Sequence, residues 1–118
     1  MVKTFRDLIA WQKAVDLVTL VYEITKSFPS DERFGLTQQL RRAAVSVPSN
    51  IAEGKGRGTA AEFGRFLNIA NGSLTEVDTQ LVIAERLGFI TNDTLDEVAG
   101  KIAEVGRIVT GLRKSLDA

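Results

Sequence analysis

TAAEFGRFLNIANGSLTEVDTQLVIAERLG, running from Thr59 to Gly88, carries the strongest structural signal in the chain. Phe63, Leu67, Ala70, Leu74, Val77, Leu81 and Ala84 follow one another at alternating steps of four and three. On a helix with 3.6 residues per turn, that spacing keeps one face apolar. Thr59 followed three residues later by Glu62 is the capping-box pattern, in which the hydroxyl serves an early amide and the carboxylate reaches back. Gly88 stands where helices commonly end in a left-handed residue. The prediction is one helix of about 28 residues, about 42 Å long.

The same periodicity continues on both sides. From about Asp7 to Phe28 there are two apolar stripes: Leu8, Trp11, Val15, Val18 and Tyr22, and Ala14, Leu17, Val21, Ile24 and Phe28. Together they cover about half of the helix surface. One stripe suffices for a core, so the second calls for a further partner within the bundle or in a neighbouring subunit. From about Phe34 to Ala52 the stripe is Leu36, Leu40, Ala44, Val47 and Ile51. Pro48 lies inside it, removes a donor and crowds the carbonyl of Ala44, which predicts a kink. Ala43, Ala44, Ser46, Ser49 and Ala52 are small and admit a close neighbour. A last helix starts at Thr91 or Asn92 and carries Leu95, Val98, Ile102, Val105, Val109, Leu112 and Leu116 on one face. Its glycines, Gly100, Gly106 and Gly111, suggest close helix contact or a helix held by its neighbours.

Three turn signals separate these segments: Phe28-Pro29-Ser30-Asp31, Gly54-Lys55-Gly56-Arg57-Gly58, and Leu87 to Asn92. None is long enough to link domains, and no stretch alternates with the period of a strand. The expected fold is all-α: a single domain over residues 1–118, an antiparallel up-down-up-down four-helix bundle with helix two kinked near Pro48.

Composition narrows the chemistry. Of the 118 residues 44% are hydrophobic and 25% charged, which excludes wholesale disorder. The chain has no Cys and no His, so thiolate chemistry, disulfides and the Glu-x-x-His di-iron motif are all out of reach. Glu62, Glu76, Asp78 and Glu85 read as a solvated face, and no metal or cofactor is expected. No nucleophile, base and orienting group converge, so the expectation is a non-enzymatic protein. No apolar run reaches the roughly 18 residues of a membrane span, and Met1 to Thr4 lack the apolar core of a signal peptide. The expected location is the cytoplasm.

Fifteen cations balance fifteen carboxylates, yet their distribution is uneven. Residues 33–65 hold Arg33, Arg41, Arg42, Lys55, Arg57 and Arg65 against only Glu53 and Glu62. Residues 66–104 hold Arg86 and Lys101 against seven carboxylates. A basic half can meet a nucleic-acid backbone, or the acidic half of another subunit. If it meets RNA or DNA, the candidates are Arg41, Lys55, Arg57 and Arg65. Arg41 is expected to face solvent. Lys55 and Arg57 flank Gly56 in a turn able to offer amides to a phosphate, although the run is no P-loop. Gln39, Arg42, Asn50 and Glu53, with Ser46, form a polar stripe along helix two and are expected to make a structural polar network. Trp11 and Tyr22, on an apolar stripe, are expected to pack.

Several motifs together resemble a known family. They are Phe5-Arg6-Asp7-Leu8-Ile9-Ala10-Trp11-Gln12-Lys13-Ala14, Gln39-Leu40-Arg41-Arg42-Ala43-Ala44, and Ser46-Val47-Pro48-Ser49-Asn50-Ile51-Ala52-Glu53-Gly54. Phe28-Pro29, Gly35-Leu36, Glu62-Phe63, Phe66-Leu67, Ala70, Gly72-Ser73 and Glu76 add to the match. The set is similar to the four-helix-bundle proteins related to the 23S rRNA intervening-sequence proteins, over nearly the whole chain. The resemblance implies a small bacterial bundle that assembles as a homopentamer, encoded within insertions in 23S rRNA genes or standing alone in the genome. It implies no defined activity for most members. A related branch, the accessory protein of diversity-generating retroelements, binds nucleic acid and a reverse transcriptase; this chain lacks the basic net charge of that branch. The expected partners are therefore other copies of the chain, RNA or DNA through the basic segment, or alternatively another protein for which the oligomer is a scaffold or accessory subunit.

Overall fold

The computed structural model describes residues 2–117, and among these every regular element is helical. Four α-helices follow in order: α1 (Ile9–Thr25), α2 (Leu36–Gly56), α3 (Ala60–Arg86) and α4 (Asn92–Ser115). Short 3₁₀ turns at Phe5–Asp7 and Ser30–Glu32 precede α1 and α2. α1 packs on α2 and α4, and α3 packs on α2 and α4, so the four helices enclose one core. The molecule measures 44 × 24 × 20 Å, its long axis close to the length of α3.

The apolar stripe of α3 is buried throughout, from Phe63 to Ala84. Leu67 and Leu81 are fully enclosed, each worth about 1.5–3 kcal/mol of apolar transfer. Thr59 caps α3 by accepting from the Glu62 amide at 3.2 Å. Glu62 does not reach back as the capping-box pattern predicts; its carboxylate turns to Arg65 instead. The reciprocal box forms at Thr4 and Asp7, ahead of α1. At the other end of α3, Gly88 takes φ +80°, its amide donates to Glu85 and the Phe89 amide donates to Ala84. These two bonds make a Schellman motif, and the positive φ is open to glycine at no steric cost.

Of the two stripes on α1, Ala14, Leu17, Val21 and Phe28 are buried, whereas Trp11, Val15 and Val18 are half-buried and Tyr22 is exposed. α2 runs unbroken through the buried Pro48 and ends at Gly56, four residues beyond the segment the sequence suggests. Gly54 and Lys55 are therefore helical and not part of the glycine-rich turn, which closes at Gly58. The reason is packing: α3 presses directly on Gly54, and this contact holds the last turn of α2. The small residues of α2 serve α3 inside the chain, with Ser46 reaching Ser73 and Gly54 reaching Phe66. Because the higher-numbered α2 residue meets the lower-numbered α3 residue, these two helices are antiparallel. α3 and α4 are too, since Asn71 bonds Thr110 and Leu74 meets Gly106. Gly100 and Gly111 face open space, so those two glycines mark no close approach among the described residues.

Candidate nucleic-acid interface

The cations of residues 33–65 fall into two clusters at opposite ends of α2. Arg41 and Arg57 are sixteen positions apart, about 24 Å along a helix. The two ends differ in what neutralises them.

At the C-terminal end of α2, Arg57 donates to Glu53 at 2.8 Å and Arg65 of α3 donates to Glu62 at 2.7 Å. Both guanidiniums lie over the ring of Phe66, at 5.0 and 4.6 Å from its centre. The hydrogen bond from Arg65 holds the Glu62 carboxyl below its ordinary range, and Glu62 in turn raises the Arg65 pKa. Lys55 extends over Phe63 at 5.9 Å. The turn does not present amides between Lys55 and Arg57, because both residues lie on helical backbone and the Arg57 amide donates to Gly54. Two carboxylates thus offset most of this cluster.

The N-terminal end is different. Arg33, Arg41 and Arg42 pair with no carboxylate among the described residues. With Tyr22, Phe34 and Val45 they line an open cleft of about 390 Å³ between α1 and α2. Arg41 does not face solvent freely, as the sequence suggests. It is half-buried, donates from Nε to the Thr25 hydroxyl at 2.8 Å, and its guanidinium lies 4.5 Å from the centre of the Tyr22 ring. Thr25 in turn donates to the Val21 carbonyl, so α1 fixes the position of Arg41. Arg33 lies over Phe34 at 5.1 Å. Phe34 itself is 79% exposed.

The polar stripe of α2 separates likewise. Asn50 donates to the Ser46 carbonyl and hydroxyl, and Ser46 shares a 2.6 Å hydrogen bond with Ser73 of α3. Glu53 is committed to Arg57. Gln39 and Arg42 are exposed, and Arg42 belongs to the cleft. The four residues Gln39, Arg42, Asn50 and Glu53 therefore make no single network among the described residues. Among the described residues, Asn50 alone of the four joins a part-buried polar seam, through Ser46 to Ser73.

Arg33 and Phe34 are the cleft residues whose importance the sequence pattern hides most. In sequence Arg33 is one cation among six in its segment. Phe34 looked like the first residue of a helix, but it precedes α2 and falls outside that helix's apolar stripe, which was the available signal. Elsewhere, no three carboxylates gather as a metal-binding group among the described residues, and no helix is long and apolar enough to cross a membrane.

No curated protein matches this sequence significantly. Among solved structures, the fold resembles a protein of unknown function from the S23 ribosomal protein family of Bacteroides thetaiotaomicron, with a TM-score of 0.82 and 20% identity, covering 90% of this chain and 99% of that one. At that identity the likeness establishes the four-helix architecture alone. The family model of the 23S rRNA-intervening sequence proteins matches residues 6–111, a span that takes in α1, α2 and α3 whole and most of α4. The chain belongs to the 23S rRNA-intervening sequence protein family.

Proposed function

We propose that this chain is a non-enzymatic subunit of a cytoplasmic homo-oligomer, five-membered as the family resemblance implies, that holds the phosphate backbone of RNA or DNA on the basic side of α2. The observation that carries this reading is the group Arg33, Arg41 and Arg42, three arginines lining one cleft with no carboxylate partner among the described residues. Phosphate oxygens are the partners such a group fits. Lys55, over Phe63 at the other end of α2, adds a separate cation with no carboxylate partner among the described residues. Arg57 and Arg65 contribute less, because Glu53 and Glu62 already compensate them. Repetition of the face around an oligomer turns weak contacts into avidity.

The test is a salt titration of RNA and DNA binding for wild type, an Arg33→Glu/Arg42→Glu variant and a Lys55→Glu/Arg57→Glu variant. Log affinity falls linearly with log salt, by about 0.9 per neutralised phosphate on duplex and about 0.7 on single strands. The first variant loses more affinity and a shallower slope remains; the second loses less. Wild type that binds nothing at low salt overturns the proposal.

A second reading has its own support. Val82 and Ile83 of α3 and Leu87 just beyond its end are exposed, and Val82 and Ile83 line a cleft of about 320 Å³ with Asp78 and Arg86. An apolar strip of this kind suits a protein surface, either another copy or a partner for which the oligomer is a scaffold or accessory subunit. Light scattering of wild type and of a Val82→Lys/Ile83→Lys variant reads the first case. A pull-down with and without nuclease reads the second: partners retained after nuclease favour the scaffold.

A further inference from the structure

We infer that the cleft between α1 and α2 receives an unpaired base, so that the protein prefers single-stranded RNA or DNA to duplex. The inference rests on the nucleic-acid reading above and adds what that reading leaves open, the strandedness of the ligand.

Phe34 is the starting point. It is the most exposed large apolar side chain of the described residues, at 79%, and contributes nothing to the core. The backbone on either side of it is nevertheless held. Arg33 donates to the Ser30 carbonyl, Gly35 to the Glu32 carbonyl, and the Leu36 amide to the Glu32 carboxylate at 3.0 Å. A ring that is fixed at its base and open at its face is pre-organised for stacking, since little freedom is lost when a planar ligand arrives. Tyr22, 40% exposed, supplies a second ring on the α1 side of the same cleft.

The occupant follows from charge and shape together. Guanidiniums lie over both rings, so each ring already carries a cation on one face. A ligand that matches must bring a flat π-system and negative charge within a few ångströms of each other. A nucleotide of a single strand does so: its base stacks on the free face of Phe34 while its phosphate meets Arg41 or Arg42. A duplex offers the phosphates but keeps its base faces stacked inside. An apolar protein surface would cover the rings but leave three guanidiniums desolvated without an anionic partner, which is costly. At about 390 Å³ the cleft is of the size that admits a small planar group. Gln38 also lines it, and its amide both donates and accepts, so it can serve any base edge. The resulting preference is for unpaired strands over duplex with little sequence selection.

The experiment measures binding of a short oligonucleotide carrying 2-aminopurine, as a single strand and as the matching duplex, to wild type, Phe34→Ala and Phe34→Tyr. Wild type should bind the single strand more tightly and quench the 2-aminopurine emission. Phe34→Ala should weaken single-strand binding roughly 5- to 150-fold, the range that loss of one base–aromatic stack produces, and abolish the quenching, while duplex binding and the salt slope stay as they were. Phe34→Tyr should retain both. Equal affinity of wild type for both ligands, or undiminished single-strand binding by Phe34→Ala, overturns the inference while a salt-dependent backbone interaction survives. Absence of binding to either ligand overturns the backbone reading as well. A changed sedimentation coefficient for Phe34→Ala would identify the cleft as an interface between copies, and that too overturns the inference.

Discussion

Gly54 of α2 meets Phe66 of α3 so closely that a Cβ at residue 54 would lie 2.6 Å from the Phe66 Cβ and 3.2 Å from the Phe63 ring. Non-bonded carbons do not approach to the first distance, and the obstructing atom is next to the backbone, where it cannot swing aside. Two helices that approach this far use van der Waals contact that any larger residue would forfeit. The same contact carries α2 to Gly56 and puts Arg57 beside Glu53 and over Phe66.

Gly54→Ala should accordingly destabilise the protein by about 1–3 kcal/mol, the usual cost of overpacking. The control is Gly100→Ala, which faces open space on α4 and should stabilise by about 0.5–1 kcal/mol. Thermal unfolding of the two variants against wild type checks both, and the shifts should have opposite signs.

The polar seam gives a second expectation. Ser73→Ala removes the partner of Ser46 across α2 and α3 and should cost about 1 kcal/mol. Glu53→Ala breaks only an exposed pair one helical turn apart and should cost about 0.5 kcal/mol or less. Urea unfolding midpoints that rank the two the other way would place the structural network on Glu53 after all.

Arg41 should combine a structural and a binding role. Arg41→Ala loses the bond to Thr25 and the contact with Tyr22, and should lower stability by about 1–2 kcal/mol. Arg42→Ala, exposed and with no such anchor, should leave the melting temperature within a degree or two while reducing the salt slope of nucleic-acid binding by about one phosphate equivalent. Denaturation and a salt titration on the same two variants separate the roles.

Acid should loosen the segment ahead of α1. The Asp7 carboxylate accepts from the amides of Lys3 and Thr4, at 2.8 and 3.1 Å, and these bonds hold its carboxyl below the usual 3.8. A depressed folded-state pKa stabilises above the unfolded value, and the stabilisation is lost as pH falls through the folded value. Phe5 packs edge-on against Trp11, the sole tryptophan, at 5.3 Å. Trp11 fluorescence should therefore change as pH drops below the ordinary carboxylate range. In Asp7→Ala the change should be present at neutral pH and the acid step should vanish.

The helical architecture could be read directly from residue order. The seven-residue stripe of α3, the threonine caps at Thr59 and Thr91 and the left-handed Gly88 are local properties, set by side-chain spacing and by which φ values a residue tolerates. Tertiary structure decided everything that depends on which helices touch. Gly54 and Lys55 look like a turn in sequence and are helical because α3 packs against them. Arg41 looks solvent-directed on an isolated α2 and is anchored because α1 supplies Thr25 and Tyr22. Glu53 and Asn50, three residues apart on one stripe, part company because one reaches Arg57 and the other Ser46, which bonds Ser73 of the neighbouring helix. The cleft that brings Phe34 together with Tyr22 and three arginines spans segments more than ten residues apart, and no periodicity within either segment encodes that meeting.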